Sequence, residues 1–119
     1  MKKVLVVEDD ASILEVMRYI LQDAGYSTQT LSDGGKAYEK VTQYKPDIIL
    51  LDISLSGYDG RLICRDLKNA VTTKNIPIIM IAAHTEVRKE SVKCGADDFL
   101  AKPFNIDDLL KKIKQYSNN

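Results

Sequence analysis

The chain has 119 residues, and its 17 Lys and Arg residues balance 17 Asp and Glu residues, so the formal net charge is zero. This length is enough for one domain with its own core, and the sequence leaves no room for a second. The balanced charge excludes the basic excess that a nucleic-acid or membrane-surface binder needs. The sequence contains no apolar run close to the roughly 20 residues that span a bilayer. We therefore expect a cytoplasmic protein with no membrane contact, whose Cys64 and Cys94 stay reduced.

Five short apolar segments follow one another along the chain and predict β-strands. Continuous aliphatic runs at 4–7, 48–51 and 78–81 are typical of strands that helices cover on both faces. Two segments at 27–31 and 99–101 alternate more in polarity, which favours strands nearer the edges of the sheet.

Amphipathic segments separate the strands and predict helices. The first is expected to start at an S-x-x-E capping box formed by Ser12 and Glu15, and to stop at Gly25. The weakest helical pattern covers 85–94. The predicted apolar faces are Ile13, Val16, Met17, Ile20, Leu21 and Ala24; then Ala37, Val41 and Tyr44; then Leu62, Ile63, Leu67 and Ala70; and, after an Asn105 cap, Ile106, Leu109, Leu110 and Ile113. This alternation predicts an α/β fold with a doubly wound, five-stranded parallel sheet.

Charged side chains follow the strands at the sheet edge where ligands bind in such folds. Glu8, Asp9 and Asp10 follow the first strand, Asp52 follows the third, and Lys102 follows the fifth. Crowded carboxylates raise one another's pKa, and a Mg²⁺ ion, which prefers carboxylate, water and phosphate oxygens, would relieve their repulsion. Acids after strands are often helix caps, which explains Asp10 but not Asp52. Three acids, a cation site and one lysine suit phosphoryl transfer to a carboxylate.

Three stretches of the chain resemble the receiver domain of two-component response regulators. They are VLVVEDD at 4–10, DIILLDISLSGYDG at 47–60 and GADDFLAKPF at 95–104. The resemblance covers residues 1–119 and implies a single receiver domain with a flavodoxin-like (βα)₅ fold, a three-layer sandwich. It also implies Mg²⁺-dependent phosphorylation by a histidine kinase or phosphotransfer protein. The domain itself would catalyse its phosphorylation and dephosphorylation, with no separate enzyme activity.

The resemblance assigns roles to individual residues. Asp52 matches the phosphoacceptor, and Lys102 matches the lysine that bonds the phosphoryl group. Glu8, Asp9 and Asp52 match the metal ligands, together with the backbone carbonyl of Ser54. Asp10 is expected to neighbour the metal site without contacting the ion.

Further positions concern signal output. Phe99 matches the family's aromatic switch, although it also fits a plain core residue of an edge strand. Ser54 and His84 match positions at the rim of the site, and His84 also fits an exposed loop residue. The implied output surface, made by the fourth helix, fifth strand and fifth helix, would contact an effector protein, with a homodimer as an option. The Lys111, Lys112 and Lys114 cluster is expected to be a solvated face.

The sequence departs from the family's pattern at three places. Ala82 stands where the family has Thr or Ser, whose hydroxyl bonds the phosphoryl group and couples it to the switch. Ser56 stands where the family usually has proline, which should loosen that loop slightly. The segment after Ala82 is shorter than usual around 84–90. These departures leave a second hypothesis open, a receiver-fold binding module that signals without phosphorylation.

Overall fold

A computed structural model describes residues 1–83 and 94–117 of the chain. Five parallel strands form one sheet in the order β2-β1-β3-β4-β5. The strands are β1 (Lys3–Val7), β2 (Ser27–Leu31), β3 (Ile48–Asp52), β4 (Ile78–Ala83) and β5 (Asp98–Lys102). The predicted parallel sheet is confirmed, and the two weaker strand patterns do form its edges.

Helices connect the strands in the predicted positions. They are α1 (Ala11–Asp23), a 3₁₀ turn (Gly34–Lys36) leading into α2 (Ala37–Tyr44), α3 (Gly60–Asn69) and the C-terminal helix (Ile106–Ser117). The helix predicted at 85–94 falls outside the described residues except for Cys94. Among the described residues, no helix is long and apolar enough to cross a membrane.

The strands bury side chains on both faces of the sheet, which gives three layers. Alternate residues of β1 point to opposite faces. On one face, Leu5 packs in a cluster with Val41 of α2 and Leu67 of α3. On the other, Val6 packs in a cluster that contains Leu21 of α1 and Leu109 of the C-terminal helix. The doubly wound arrangement is therefore confirmed.

The first helix begins differently from the sequence prediction. Asp10, not Ser12, is the N-cap, and its carboxylate accepts hydrogen bonds from the amides of Ser12 and Ile13. The buried residues of α1 are Leu14, Met17 and Leu21, whereas Val16 is 58% exposed. Two residues turn a helix by about 200°, so Val16 lies on the side opposite Leu14. The capping box and the buried position of Val16 were wrong.

Two other predicted apolar faces needed smaller corrections. Leu62 of α3 and Ile106 of the C-terminal helix are about half exposed. In α3 the buried face runs through Gly60, Cys64 and Leu67. Asn105 does cap the C-terminal helix, since its side chain accepts a hydrogen bond from the Asp108 amide at 2.7 Å.

Candidate functional site

An ammonium group joins two buried carboxylates at the carboxyl ends of three strands. The Nζ of Lys102 lies 2.5 Å from Oδ2 of Asp52 and 3.3 Å from Oε1 of Glu8. Glu8 and Asp52 are only 4% and 2% exposed, whereas 35% of the Lys102 side chain is exposed. The structure therefore brings together three of the charged residues that the sequence singled out.

The sheet register explains how residues so far apart in sequence meet. Asp52 is the last residue of β3, and Glu8 directly follows β1, in which Val7 pairs with Leu51. Lys102 ends β5, two strands from Asp52, and pairs with Ala83 of β4. The Lys102 side chain therefore reaches the carboxylates across the end of β4, where the small side chains of Ala82 and Ala83 take up little space.

The Glu8 carboxyl is held in an unfavourable setting for a negative charge. Burial, together with the hydrogen bond and charge of Asp52, raises the pKa of Glu8 to about 7, against the lowering effect of Lys102. Burial alone would lower the pKa of Lys102. The hydrogen bonds and charges of Asp52 and Glu8 outweigh that effect and raise it, so the ammonium stays charged. Two acids facing one lysine make this edge of the sheet suitable for a further cation.

Both oxygens of Asp52 have donors. The backbone amide of Ser54 donates to Oδ1 at 2.8 Å, while Lys102 donates to Oδ2. The Ser54 side chain itself is exposed. The carboxylate is therefore fixed from two sides, by a backbone amide and by an ammonium group.

Asp9 lies next to this cluster, since its amide donates to Oε2 of Glu8 at 3.0 Å, but its carboxylate is bound by a different element. Its Oδ2 accepts a hydrogen bond at 2.7 Å from the Ser56 amide, in a short hairpin of Ser54–Leu55 and Tyr58–Asp59. In residues 1–83 and 94–117, no three His, Cys, Asp or Glu side chains lie close enough together to hold a metal ion. Of the predicted metal ligands, Glu8 and Asp52 meet at Lys102, whereas the Asp9 carboxylate is bound by the hairpin.

Sequence reasoning missed the role of Gly60, the first residue of α3. Its amide donates to the carbonyl of Ile53 at 2.8 Å. A Cβ on Gly60 would overlap the backbone carbonyl oxygen of Asp52, so any other residue at this helix start would have to displace backbone atoms. Asp59 caps the helix by accepting from the Arg61 amide at 2.9 Å. The Asp-Gly pair ahead of an apolar periodic segment was the available signal.

An open cavity of about 580 Å³ adjoins Asp52 and Lys102. Ala82, at the predicted switch position, lines it and is 5% exposed. This wall of the site therefore carries a methyl group and no hydroxyl. The remaining lining residues are Ile13, Ser54, Ala83, Pro103 and Phe104.

Phe99 lies on β5 away from the carboxylates. It is half-buried and packs against the same core cluster as Ala82. Lys112 of the C-terminal helix lies 5.7 Å from the centre of its ring and 3.0 Å from Oδ2 of Asp98. Lys112 is thus tied to β5, so the prediction of a solvated lysine face was wrong for this residue. His84 lies outside the described residues.

The family comparison gives the same result as the site and the fold. The model of the response regulator receiver domain matches residues 4–114. The chain belongs to this family.

The relatives include regulators, a chemotaxis protein and a kinase domain. The chain is 33% identical to the DNA-binding dual master transcriptional regulator RpaA of Synechocystis, over 96% of the chain and 48% of RpaA. The chemotaxis response regulator CheY4 of Vibrio cholerae has a TM-score of 0.89 and 34% identity, with 98% of each chain covered. The receiver domain of the sensor histidine kinase PA1611 from Pseudomonas aeruginosa has a TM-score of 0.90 and 26% identity, covering 99% and 98%. The PA1611 structure has a magnesium ion coordinated in its active site cleft. The chain spans about half the length of the curated relatives it matches.

Proposed function

We propose that this receiver domain accepts a phosphoryl group on Asp52 in a Mg²⁺-dependent reaction. The observation that carries the proposal is the contact of the Lys102 ammonium with the buried carboxylates of Asp52 and Glu8. Stability alone does not explain two buried acids in a salt bridge, because the free energy lost when they leave water is about as large as the free energy gained by pairing. A reaction that brings a phosphoryl group to Asp52 does need a carboxylate and a fixed positive charge.

The proposed metal ligands are Glu8, Asp9, Asp52 and the backbone carbonyl of Ser54. Their chemistry fits Mg²⁺, because all donors are hard oxygens and the site holds three carboxyl groups beside the single ammonium of Lys102. When bound, the ion would neutralise charge on the oxygens of the transferred phosphoryl group.

The residues of this chain supply the other parts of the transfer. A carboxylate oxygen of Asp52 attacks phosphorus, and the bond from phosphorus to the donor's imidazole nitrogen breaks as the oxygen–phosphorus bond forms. The Ser54 amide holds the carboxylate in orientation through its 2.8 Å hydrogen bond. Lys102 is positioned to bind an oxygen of the arriving phosphoryl group. The proposed donor is a phosphohistidine of a histidine kinase or phosphotransfer protein.

The proposed output is contact with another protein at the face that contains β5 and the C-terminal helix. Phe99 packs under Lys112 on this face, next to the ion pair between Lys112 and Asp98. RpaA is named as DNA-binding, but the zero net charge of this chain favours a protein partner for this domain. A second copy of the domain is one candidate partner for the same face.

Intact-protein mass spectrometry with a small phosphodonor tests the assignment of Asp52. With Mg²⁺ the native protein should gain the mass of one phosphoryl group, and Asp52→Asn should gain none. Asp66→Asn is the matched control, because Asp66 is an exposed acid on α3 outside the site. Labelling of Asp52→Asn would refute the assignment. If neither the native protein nor the control is labelled, a binding module that signals without phosphorylation becomes the better hypothesis.

A further inference from the structure

The hydrogen bond between Asp9 and Ser56 links a proposed metal ligand to a hairpin turn. The Ser56 amide donates to Oδ2 of Asp9 at 2.7 Å. Asp9 is half-buried, and its carboxylate does not converge with the other acidic groups of the described residues into a metal-sized cluster. The carboxylate therefore has a backbone donor of its own, separate from the contacts of Asp52.

The turn leaves this amide available as a donor. Ser56 and Gly57 are the two residues between the paired Leu55 and Tyr58. Gly57 has a φ of 78°, and Lys45 is the only described residue other than glycine with a positive φ. Ser56 thus has a negative φ, which matches a type II turn, where the amide of the first central residue makes no hydrogen bond within the turn.

The hairpin is also packed from its other side. The Tyr58 ring lies against Gly35 so closely that a Cβ there would overlap the ring, and a Cβ on Gly34 would lie 3.2 Å from the Cβ of Tyr58. This packing of Tyr58 against 34–35 tethers the hairpin on the side away from Asp9, so it opposes movement of the Ser56 amide together with the Asp9 carboxylate.

We propose that the Ser56 amide competes with Mg²⁺ for Asp9 and so sets the metal affinity of the site. This inference rests on the proposed function. An oxygen engaged by an amide is less available to a cation, so an ion that takes Oδ2 of Asp9 must break a hydrogen bond to a charged acceptor. By reciprocity, a bound ion loosens the hairpin by the same free energy that the hairpin removes from ion binding.

Ser56→Pro tests the competition directly, since it removes the amide hydrogen. Proline is favoured at the first central position of a type II turn, and the preceding Leu55 is in a strand, the conformation that a following proline prefers. Mg²⁺ affinity, measured by NMR titration of backbone amides, should rise about threefold or more. Ser56→Ala keeps the amide and loses only the hydroxyl, so its affinity should equal that of the native chain.

A second readout follows the amide itself. In the native protein and in Ser56→Ala, saturating Mg²⁺ should shift the residue 56 amide proton upfield as its hydrogen bond weakens. Equal or weaker Mg²⁺ affinity in Ser56→Pro, or an unmoved amide proton, would overturn the inference and leave Asp52 phosphorylation intact. If the native chain binds no Mg²⁺, both proposals fail. If Ser56→Pro binds more tightly while Asp52 takes no phosphoryl group, only the proposed function fails.

Discussion

Gly60→Ala is expected to destabilise the protein, although alanine is normally the better residue in a helix. Gly60 begins α3 and is buried against the end of β3. A Cβ at this position would overlap the carbonyl oxygen of Asp52 and lie 2.8 Å from the Cα of Ile53. Both neighbours are backbone atoms, one in the last residue of β3 and one in the residue after it, so no side-chain rotation can relieve the contact.

Two opposing terms decide the size of the effect. Replacing glycine by alanine in a helix returns at most about 1 kcal/mol. Forcing an extra carbon into a packed region costs about 1–3 kcal/mol. The collision with backbone puts this site at the upper end of that range, which leaves a net loss of about 1–2 kcal/mol. At a urea dependence of about 2 kcal/mol per molar, the middle of the typical range, the midpoint should fall by roughly 0.5–1 M.

Urea unfolding followed by circular dichroism measures this loss. Asp66→Ala in the same helix is the matched control, since Asp66 is exposed and alanine should leave stability unchanged or slightly higher. Because the displaced atoms belong to Asp52 and Ile53, Gly60→Ala should also slow phosphorylation of Asp52. A Gly60→Ala protein as stable as the native one would show that α3 can move away from β3, and the packing argument would be wrong.

Two further changes address the switch position and the cap of α3. Ala82→Ser places a hydroxyl on the cavity wall beside Asp52. One hydrogen bond to a charged group contributes about 1.5–3 kcal/mol. The phosphoryl mimic beryllofluoride, added with Mg²⁺, should therefore bind at least about tenfold more tightly to Ala82→Ser than to the native protein. Titration of the mimic measures this, and equal affinities would exclude a contact. Hydrogen bonding to Arg61 lowers the pKa of Asp59 below its ordinary 3.8, against the raising effect of burial. The charged Asp59 therefore stabilises the folded state above pH 3.8, and this stabilisation is lost as the pH falls through the lowered pKa. Asp59→Asn keeps the cap and should cost less than about 1 kcal/mol at pH 7. The cost should shrink as the pH falls and vanish below the lowered pKa of Asp59, so urea midpoints that diverge as the pH falls would contradict this.

Strand positions were predictable because the strong signal is local. An aliphatic run such as 48–51 has no polar side chain on either face of the strand, so both faces are expected to be buried. The register then carried Asp52 and Glu8 to neighbouring strand ends, with Lys102 arriving from β5. These contacts follow from strand order, which the alternation of elements limits to few choices.

Carboxylate directions were not predictable, because they depend on which donor is nearest. Asp10 caps α1, as helix capping suggested, but the adjacent Asp9 accepts from Ser56, 47 residues away, a contact that no sequence pattern indicates. The position of Gly60 was equally hidden, since the close approach of α3 to Asp52 is a tertiary contact. Val16 was wrongly placed on the buried face because the apolar residues of α1 lie on more than one side of the helix. Only packing against the sheet decides which of these residues are buried.

The absent hydroxyl at Ala82 separates the chemistry of the site from its output. Asp52 accepts hydrogen bonds from the Lys102 ammonium, at the end of β5, and from the backbone amide of Ser54, two residues after β3. Neither depends on Ala82, so the loss of a hydroxyl leaves them in place. The missing contact is a hydroxyl hydrogen bond that would draw the end of β4 toward a phosphoryl group. Its free energy of about 1.5–3 kcal/mol is as large as a typical allosteric coupling energy. Under the proposed function, the signal must therefore pass through elements other than β4 that touch the site. The hairpin held by Asp9 is one such element, because any ion that takes Asp9 also releases Ser56.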